Sequence, residues 1–206
     1  MTGLLLIIAA ATGQSAAKPF IFPPKAAEIA GPIEQIELSP IFRQDFVFSE
    51  HFAGQIPYAG DALGSDCMVT GGVEDDSGFP RLYRGDGAAN ADWYGWNAEV
   101  LAPTDGVVAG VLTKDGANTP GSMGRPPAAM IQIRRPDGII VVVAHVANVH
   151  AKLGDRVKAG QVIANVSNNG MARNPHIHIG AWREKNAEPL QIRWDLKAMA
   201  ALRNGS

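Results

Sequence analysis

Glycine and proline recur so often along this chain that no long helix can be threaded through it. Its 206 residues include 23 glycines and 14 prolines. Each proline removes a backbone donor, and each glycine favours a turn. Short strands joined by many turns are what such punctuation permits. Pro19, Pro23, Pro24, Pro32 and Pro40 space out residues 18–50, which read as extended chain or strand edge. Residues 55–96 are rich in glycine and aspartate and read as loop with short strands. From Ala98 the texture changes. Val100–Pro103 and Val107–Leu112 read as strands about a turn at Thr104-Asp105-Gly106. Met130–Arg134 alternates, Pro136-Asp137-Gly138 marks a hairpin, and Ile139–Ala144 is a continuous apolar strand. The fold class is all-β, closed by a short helical tail. Within residues 189–203, Ile192, Leu196, Met199 and Leu202 stand at helical spacing, which predicts one amphipathic helix.

Composition limits what such a chain can do. With 46% hydrophobic and 18% charged residues it can bury a core of its own. A net charge of −2 and the lack of a basic cluster argue against a nucleic-acid partner. Residues 1–17 carry an apolar run, Leu4 to Ala11, too short to span a bilayer. Ser15 and Ala17 fit the small positions of a cleavage site, so these residues read as a secretory signal, although no positive charge precedes the run. The expected mature protein is exported, periplasmic or secreted, and has no membrane span. A single cysteine, Cys67, excludes an intrachain disulfide.

The chemistry is concentrated in Asn174-Pro175-His176-Ile177-His178-Ile179-Gly180. Ile177 and Ile179 alternate with the two histidines as in a half-buried strand. Side chains two apart on a strand share a face, so both imidazoles enter the same space. Imidazole is the commonest metal ligand and the group best suited to moving protons near neutral pH. A hydrolytic zinc site needs three protein ligands and an open position. The candidates are His176, His178, His145 at the end of the apolar strand, His51 and Asp61.

Residues 90–180 resemble the lysostaphin-type (LytM-like) zinc metallopeptidases that cut peptide bonds in bacterial cell-wall peptidoglycan. Val100-Leu101-Ala102-Pro103-Thr104-Asp105-Gly106-Val107-Val108 is similar to the family's V-x-A-P-x-D-G-x-V. Ala144-His145, then Gly154-Asp155-Arg156-Val157-Lys158-Ala159-Gly160-Gln161-Val162-Ile163, then Pro175-His176-Ile177-His178 follow its second half in order and spacing. The resemblance implies a compact antiparallel β-sandwich or hybrid barrel with a surface groove, over residues 51–188. It implies one Zn²⁺ per chain held by His51, Asp61 and His178. It makes His145 and His176 the imidazoles that activate water and stabilise the oxyanion. Peptidoglycan peptides are the implied partner.

The first motif departs from the family's H-x-x-x-D, because Pro57 precedes Asp61 by four and His51 lies ten positions upstream. Tyr58-Ala59-Gly60-Asp61 resembles branches whose histidine sits further upstream. Asp61 is preferred as the carboxylate, with Asp66 as the alternative if Asp61 is a turn residue. Cys67 reads as a buried hydrophobe, His150 as solvated, and Asn168-Asn169-Gly170 as a turn. Trp93, Tyr94 and Trp96 read as core or as groove lining. Residues 114–127 and 67–89 are candidate groove walls. The displaced histidine also allows a non-catalytic relative that binds a wall enzyme or division partner. The G-D-x-V-x-x-G-Q-x-I run resembles biotinyl carriers as well, but no lysine sits at the turn they need.

Overall fold

A computed structural model describes residues 20, 22–74 and 78–204. The expected signal segment, residues 1–17, lies outside the described residues. The strands are β1 (Gln35–Leu38), β2 (Phe46–Glu50), β3 (Ser65–Val69), β4 (Glu99–Leu101), β5 (Gly106–Leu112) and β6 (Met130–Arg134). They continue with β7 (Ile139–Ala144), β8 (Val146–Ala147), β9 (Arg156–Val157), β10 (Val162–Val166), β11 (Ile177–Arg183) and β12 (Glu188–Trp194), and the helix α1 (Leu196–Asn204) follows. The all-β expectation and the short C-terminal helix are both borne out.

A nine-stranded sheet runs β1-β12-β11-β7-β6-β5-β9, with β3 also on β11 and β2 on β3. A smaller sheet, β4-β10-β8, packs against it. Strand β11 is the hub. Along one edge it pairs antiparallel with β7 from His178 to Arg183. Its other edge is divided: Ile177 to Ile179 pair with β3, and Ala181 to Arg183 pair with β12.

The pleat sorts this hub into two faces. Ile177, Ile179 and Ala181 are fully buried in the main core, beside Ile131, Ile133, Val141, Val143 and Ile163. His176, His178, Gly180 and Trp182 have the opposite parity. Trp182 packs there with Ile140, Val142 and Ala59, a second small apolar cluster. The sequence predicts a half-buried strand, but β11 is covered on both faces, because residues 57–64 cross its outer side.

That crossing depends on Gly180. A Cβ there would fall onto the Gly60 carbonyl, which approaches the strand where β3 gives way to β12. Pro23 braces the same loop from outside, 3.1 Å from where a Cβ of Gly60 would lie. Ala59 N–H donates to Pro24 O and Ala26 N–H to Pro57 O, so the proline-rich segment is bonded onto the loop.

One expectation fails. Residues 189–203 are not a single helix: Glu188–Trp194 is a strand, and α1 begins at Leu196. Leu190, Ile192 and Trp194 are buried at period two, and the strand bonds to β11 and to a parallel β1. Tertiary pairing overrides the helical spacing. Asp195 ends the strand and caps the helix, its Oδ1 accepting from Lys197 and Ala198 N–H.

Replacing Gly180 with Ala should push the 57–64 loop off the sheet. The expected loss is about 1–3 kcal/mol or more, read as a lowered denaturation midpoint with an unchanged slope.

Candidate metal centre

Four of the five histidines converge on the outer face of β11. His145 and His176 lie with ring centroids 4.5 Å apart, and His51 stacks on His178 at 5.2 Å. His150 is exposed on the loop after β8, as its lack of a motif suggests. His176 and His178 come from the β11 entry. His145 follows β7, the neighbouring strand. Its φ of 64° turns the chain sharply between β7 and β8, in a region that a non-glycine residue adopts rarely. His51 follows β2, and its N–H donates to Gly64 O.

The carboxylate at the centre is Asp66. It sits opposite His178 in the β3–β11 register, with its flanking neighbours Cys67 and Ser65 buried. Ligand atoms of His51, Asp66 and His178 all lie within 4.8 Å of one another. Asp66 Oδ1 is 3.0 Å from His178 Nδ1 and 3.7 Å from His176 Nε2, and Oδ2 is 3.6 Å from His51 Nε2. Asp61, the carboxylate preferred from sequence, stands on the other side of His178, with Oδ1 3.3 Å from Nε2. The structure therefore groups His51 and His178 with Asp66, the alternative, while Asp61 faces the opposite ring nitrogen. Alternation in Ser65-Asp66-Cys67-Met68-Val69 held the signal, since buried Cys67 and Val69 fix Asp66 on the face that β11 gives its histidines.

Each imidazole is oriented by a main-chain carbonyl. A carbonyl only accepts, so the ring nitrogen facing it carries the hydrogen. His51 Nδ1–H donates to Asp61 O at 2.9 Å, and His178 Nε2–H to Gly60 O at 2.9 Å. His145 Nδ1–H donates to Asn169 O at 2.7 Å, and His176 Nδ1–H to Asn174 O at 2.9 Å. The nitrogens left to meet a ligand are Nε2 of His51, His145 and His176 and Nδ1 of His178. Successive carbonyls of Gly60 and Asp61 thus set both imidazoles of the three-residue cluster. Gly64 leaves room for one of them: a Cβ there would meet His178 Cε1 at 2.7 Å.

Two imidazoles and a carboxylate with converging donor atoms are the ligand types that suit a hydrolytic zinc ion. Ring orientation through hydrogen bonds on the far nitrogens is how such ligands are commonly held. The donor set fits the metal.

The charges also fit. Burial opposes ionisation of Asp66, yet the hydrogen bonds of His178 and His51 hold it well below the usual carboxylate range. Burial works to lower His178, but Asp66, Asp61 and the Gly60 carbonyl outweigh it and raise it above its ordinary value. The Asp66 hydrogen bond raises His51 as well. Burial pushes His145 down to about 3, with His176 and His178 adding repulsion. His176 is lowered chiefly by burial. His145 and His176 are therefore neutral near pH 7, beside a carboxylate–imidazole cluster that holds charge.

Residues 92–191 match the profile of peptidase family M23. That stretch belongs to peptidase family M23. The M23 match contains His145, His176 and His178; His51, Asp61 and Asp66 precede it. Among solved structures, a mutant catalytic domain of the prophage-encoded M23 protein EnpA from Enterococcus faecalis is similar at 19% identity. The match covers 74% of this chain and 92% of that one, with a TM-score of 0.47. The catalytic domain of lysostaphin from Staphylococcus simulans matches at 16% identity over 71% and 86% of the two chains, with a TM-score of 0.41. Comparison with curated proteins gave no match.

Beside the histidine cluster, residues 114–127 are bonded to the loop that enters β11. Gly121 N–H donates to Arg173 O, and the Asn118 side chain donates to Gly170 O and Ala172 O. A cleft of about 560 Å³, lined in part by Trp96, Asn97, Lys114, Val146 and Ser167, contains none of the clustered imidazoles in its wall. Trp96 is thus a cleft residue, whereas Tyr94 packs on the core beneath the Arg84 guanidinium, 4.1 Å from its ring centroid. Trp93 lies tilted against Tyr83, with ring centroids 4.9 Å apart, and donates to Gly87 O. Cys67 faces the core, where burial raises its thiol pKa.

A histidine that stays neutral when buried costs stability in acid. The unfolded chain protonates His145 near its ordinary pKa of about 6.5, while the folded chain does so only near 3. Between those values the unfolded state binds the extra proton, so stability falls as pH falls. His51 and His178, raised in the fold, act in the opposite sense, so the comparison must isolate one residue. His145→Asn, which tolerates the same backbone region, should flatten the pH dependence of the metal-free protein between pH 6.5 and 3. The expected difference in slope reaches about 1.4 kcal/mol per pH unit, measured by denaturant unfolding.

Proposed function

We propose that this chain is an exported zinc-dependent endopeptidase that hydrolyses peptide bonds of bacterial peptidoglycan. One observation carries the reading: His51, Asp66 and His178 converge beside two neutral imidazoles whose hydrogens are turned away from the centre. His51, Asp66 and His178 are the proposed ligands, with Asp66 in place of the Asp61 expected from sequence. Asp61 and Gly60 orient the two ligand rings through their carbonyls. Zinc held there supplies Lewis acidity, polarising a scissile carbonyl and acidifying water.

The remaining chemistry belongs to His145 and His176. Each neutral ring offers only a lone pair at Nε2, so each can take a proton from the attacking water. Once protonated, the same nitrogen donates, first to the developing oxyanion and then to the departing amine. At 4.5 Å between centroids the two rings repel a second charge, so the pair works with one proton at a time. The Asp66 carboxylate, 3.7 Å from His176 Nε2, favours that proton on His176.

The displaced histidine that favours a non-catalytic relative is less of an objection once His51 Nε2 lies 3.6 Å from Asp66. The apolar run and small residues at the N-terminus support export, and the family of residues 92–191 supports a cell-wall substrate.

Purified protein should contain about one zinc per chain. Asp66→Ala, His51→Ala and His178→Ala should lose it, whereas Asp61→Ala should retain it, as measured by elemental analysis after dialysis. The opposite order for the two aspartates would return the ligand role to Asp61. His176→Ala should keep the metal but lose muropeptide release from purified sacculi by about 100-fold or more. Equal release by wild type and variant, or none from either, would favour the binding reading. Because His51 and His178 hold protons above their ordinary pKa, zinc uptake should release protons. Its affinity should begin to fall above pH 6.5 as the solution is acidified.

A further inference from the structure

Asn169 is 1% exposed, and its side chain hydrogen-bonds to the main chain on the two segments that meet beside His145. Its Oδ1 accepts from Ala129 N–H at 2.9 Å, just before β6. Its Nδ2 donates to Val146 O at 2.9 Å, the residue after His145. Its own carbonyl accepts from His145 Nδ1–H at 2.7 Å. Main-chain bonds close the same corner: Ser167 N–H donates to His145 O and Val146 N–H to Ala129 O. A simple turn does not require a fully buried amide with both ends satisfied. Asn168 beside it faces away, into a network with Asn90 and Asn118.

We propose that Asn169 is the positioning residue for His145, fixing which of its nitrogens meets the reacting groups. His145 sits at an unfavourable φ of 64°, so the corner does not hold its conformation by local preference. The Asn169 amide ties the two flanking backbone segments together, and this places the 169 carbonyl under Nδ1. With Nδ1–H engaged, the lone pair at Nε2 is aimed at the centre. Without the amide, the carbonyl shifts and the ring can reverse its tautomer, presenting N–H where a base is needed. Gly170 completes the corner, since its φ of 68° and closeness to Ala128 leave no room for a side chain.

The kinetic arm of the test rests on the peptidase reading; the spectroscopic arm does not. In the zinc-loaded full chain, ¹⁵N-resolved imidazole spectra should show His145 as a single Nδ1–H tautomer. Asn169→Ala should give a mixed or reversed tautomer at His145 while His178 and zinc content stay unchanged. Asn169→Asp, which keeps the acceptor for Ala129 and loses the donor to Val146, should do the same and serves if the alanine variant does not fold. Both should lower kcat on sacculi about 10- to 100-fold, with KM within about twofold. In a His145→Ala background, Asn169→Ala should cost no further activity. An unchanged His145 spectrum in a folded variant would overturn the proposal. So would losses that simply add in the double variant. If wild type releases no muropeptides, the peptidase reading fails alone, and the His145 spectrum still decides the role of Asn169.

Discussion

The site depends on the close approach of the Gly60 carbonyl to the bare Cα of Gly180. Nearly everything in the histidine cluster follows from that contact. A strand buried on one side and open on the other would leave His176 and His178 in solvent, where orientation is lost and protonation is ordinary. Because the loop settles onto Gly180, the Gly60 carbonyl reaches His178 Nε2 and the next carbonyl reaches His51 Nδ1. One missing side chain thus orders two imidazoles brought from distant parts of the chain. Burial that would otherwise discharge His178 is offset by the carboxylates gathered on either side of it.

Two kinds of histidine result. His51 and His178 are raised by carboxylates and suited to exchanging a proton for a cation. His145 and His176 are lowered by burial and suited to collecting a proton from water. The division comes from surroundings, since all four side chains start with the same chemistry. It also uses the sheet economically. A single pleat sends Ile177 and Ile179 to the core while placing His176 and His178 beside Asp66 across one strand pair.

Much of this was legible in the sequence. Met130–Arg134 and Ile139–Ala144 were marked to the residue by alternation, apolar continuity and the turn at Gly138, because local pattern and tertiary pairing agree there. The His176–His178 pairing follows from strand parity alone. Other features depend on contacts that spacing cannot encode. Strand β12 borrows its pairing from β1, some 150 positions earlier, so its residues carried a weak helical signal until β11 and β1 were placed beside it. The grouping of Asp66 rather than Asp61 with His51 depends on β3 turning Asp66 towards β11, and the 51–64 loop between β2 and β3 obscures that from the sequence. The roles of Gly60 and Asp61 were illegible for a further reason: they act through carbonyls, which every residue type possesses.

The N-terminal prolines give the domain an unexpected outline. Pro23 rests on Gly60, Pro24 bonds to Ala59, and β1 zips along β12, so contacts cross position 51 in several places. Residues 22–38 work as a strap drawn around the half that carries the histidines, tightened at one end by the floor of the site and at the other by the last strand. Evolutionary shuffling of this module would have to carry that strap along. A transplanted copy beginning at His51 would take the clustered side chains with it and leave behind the brace that keeps the Gly60 and Asp61 carbonyls in place.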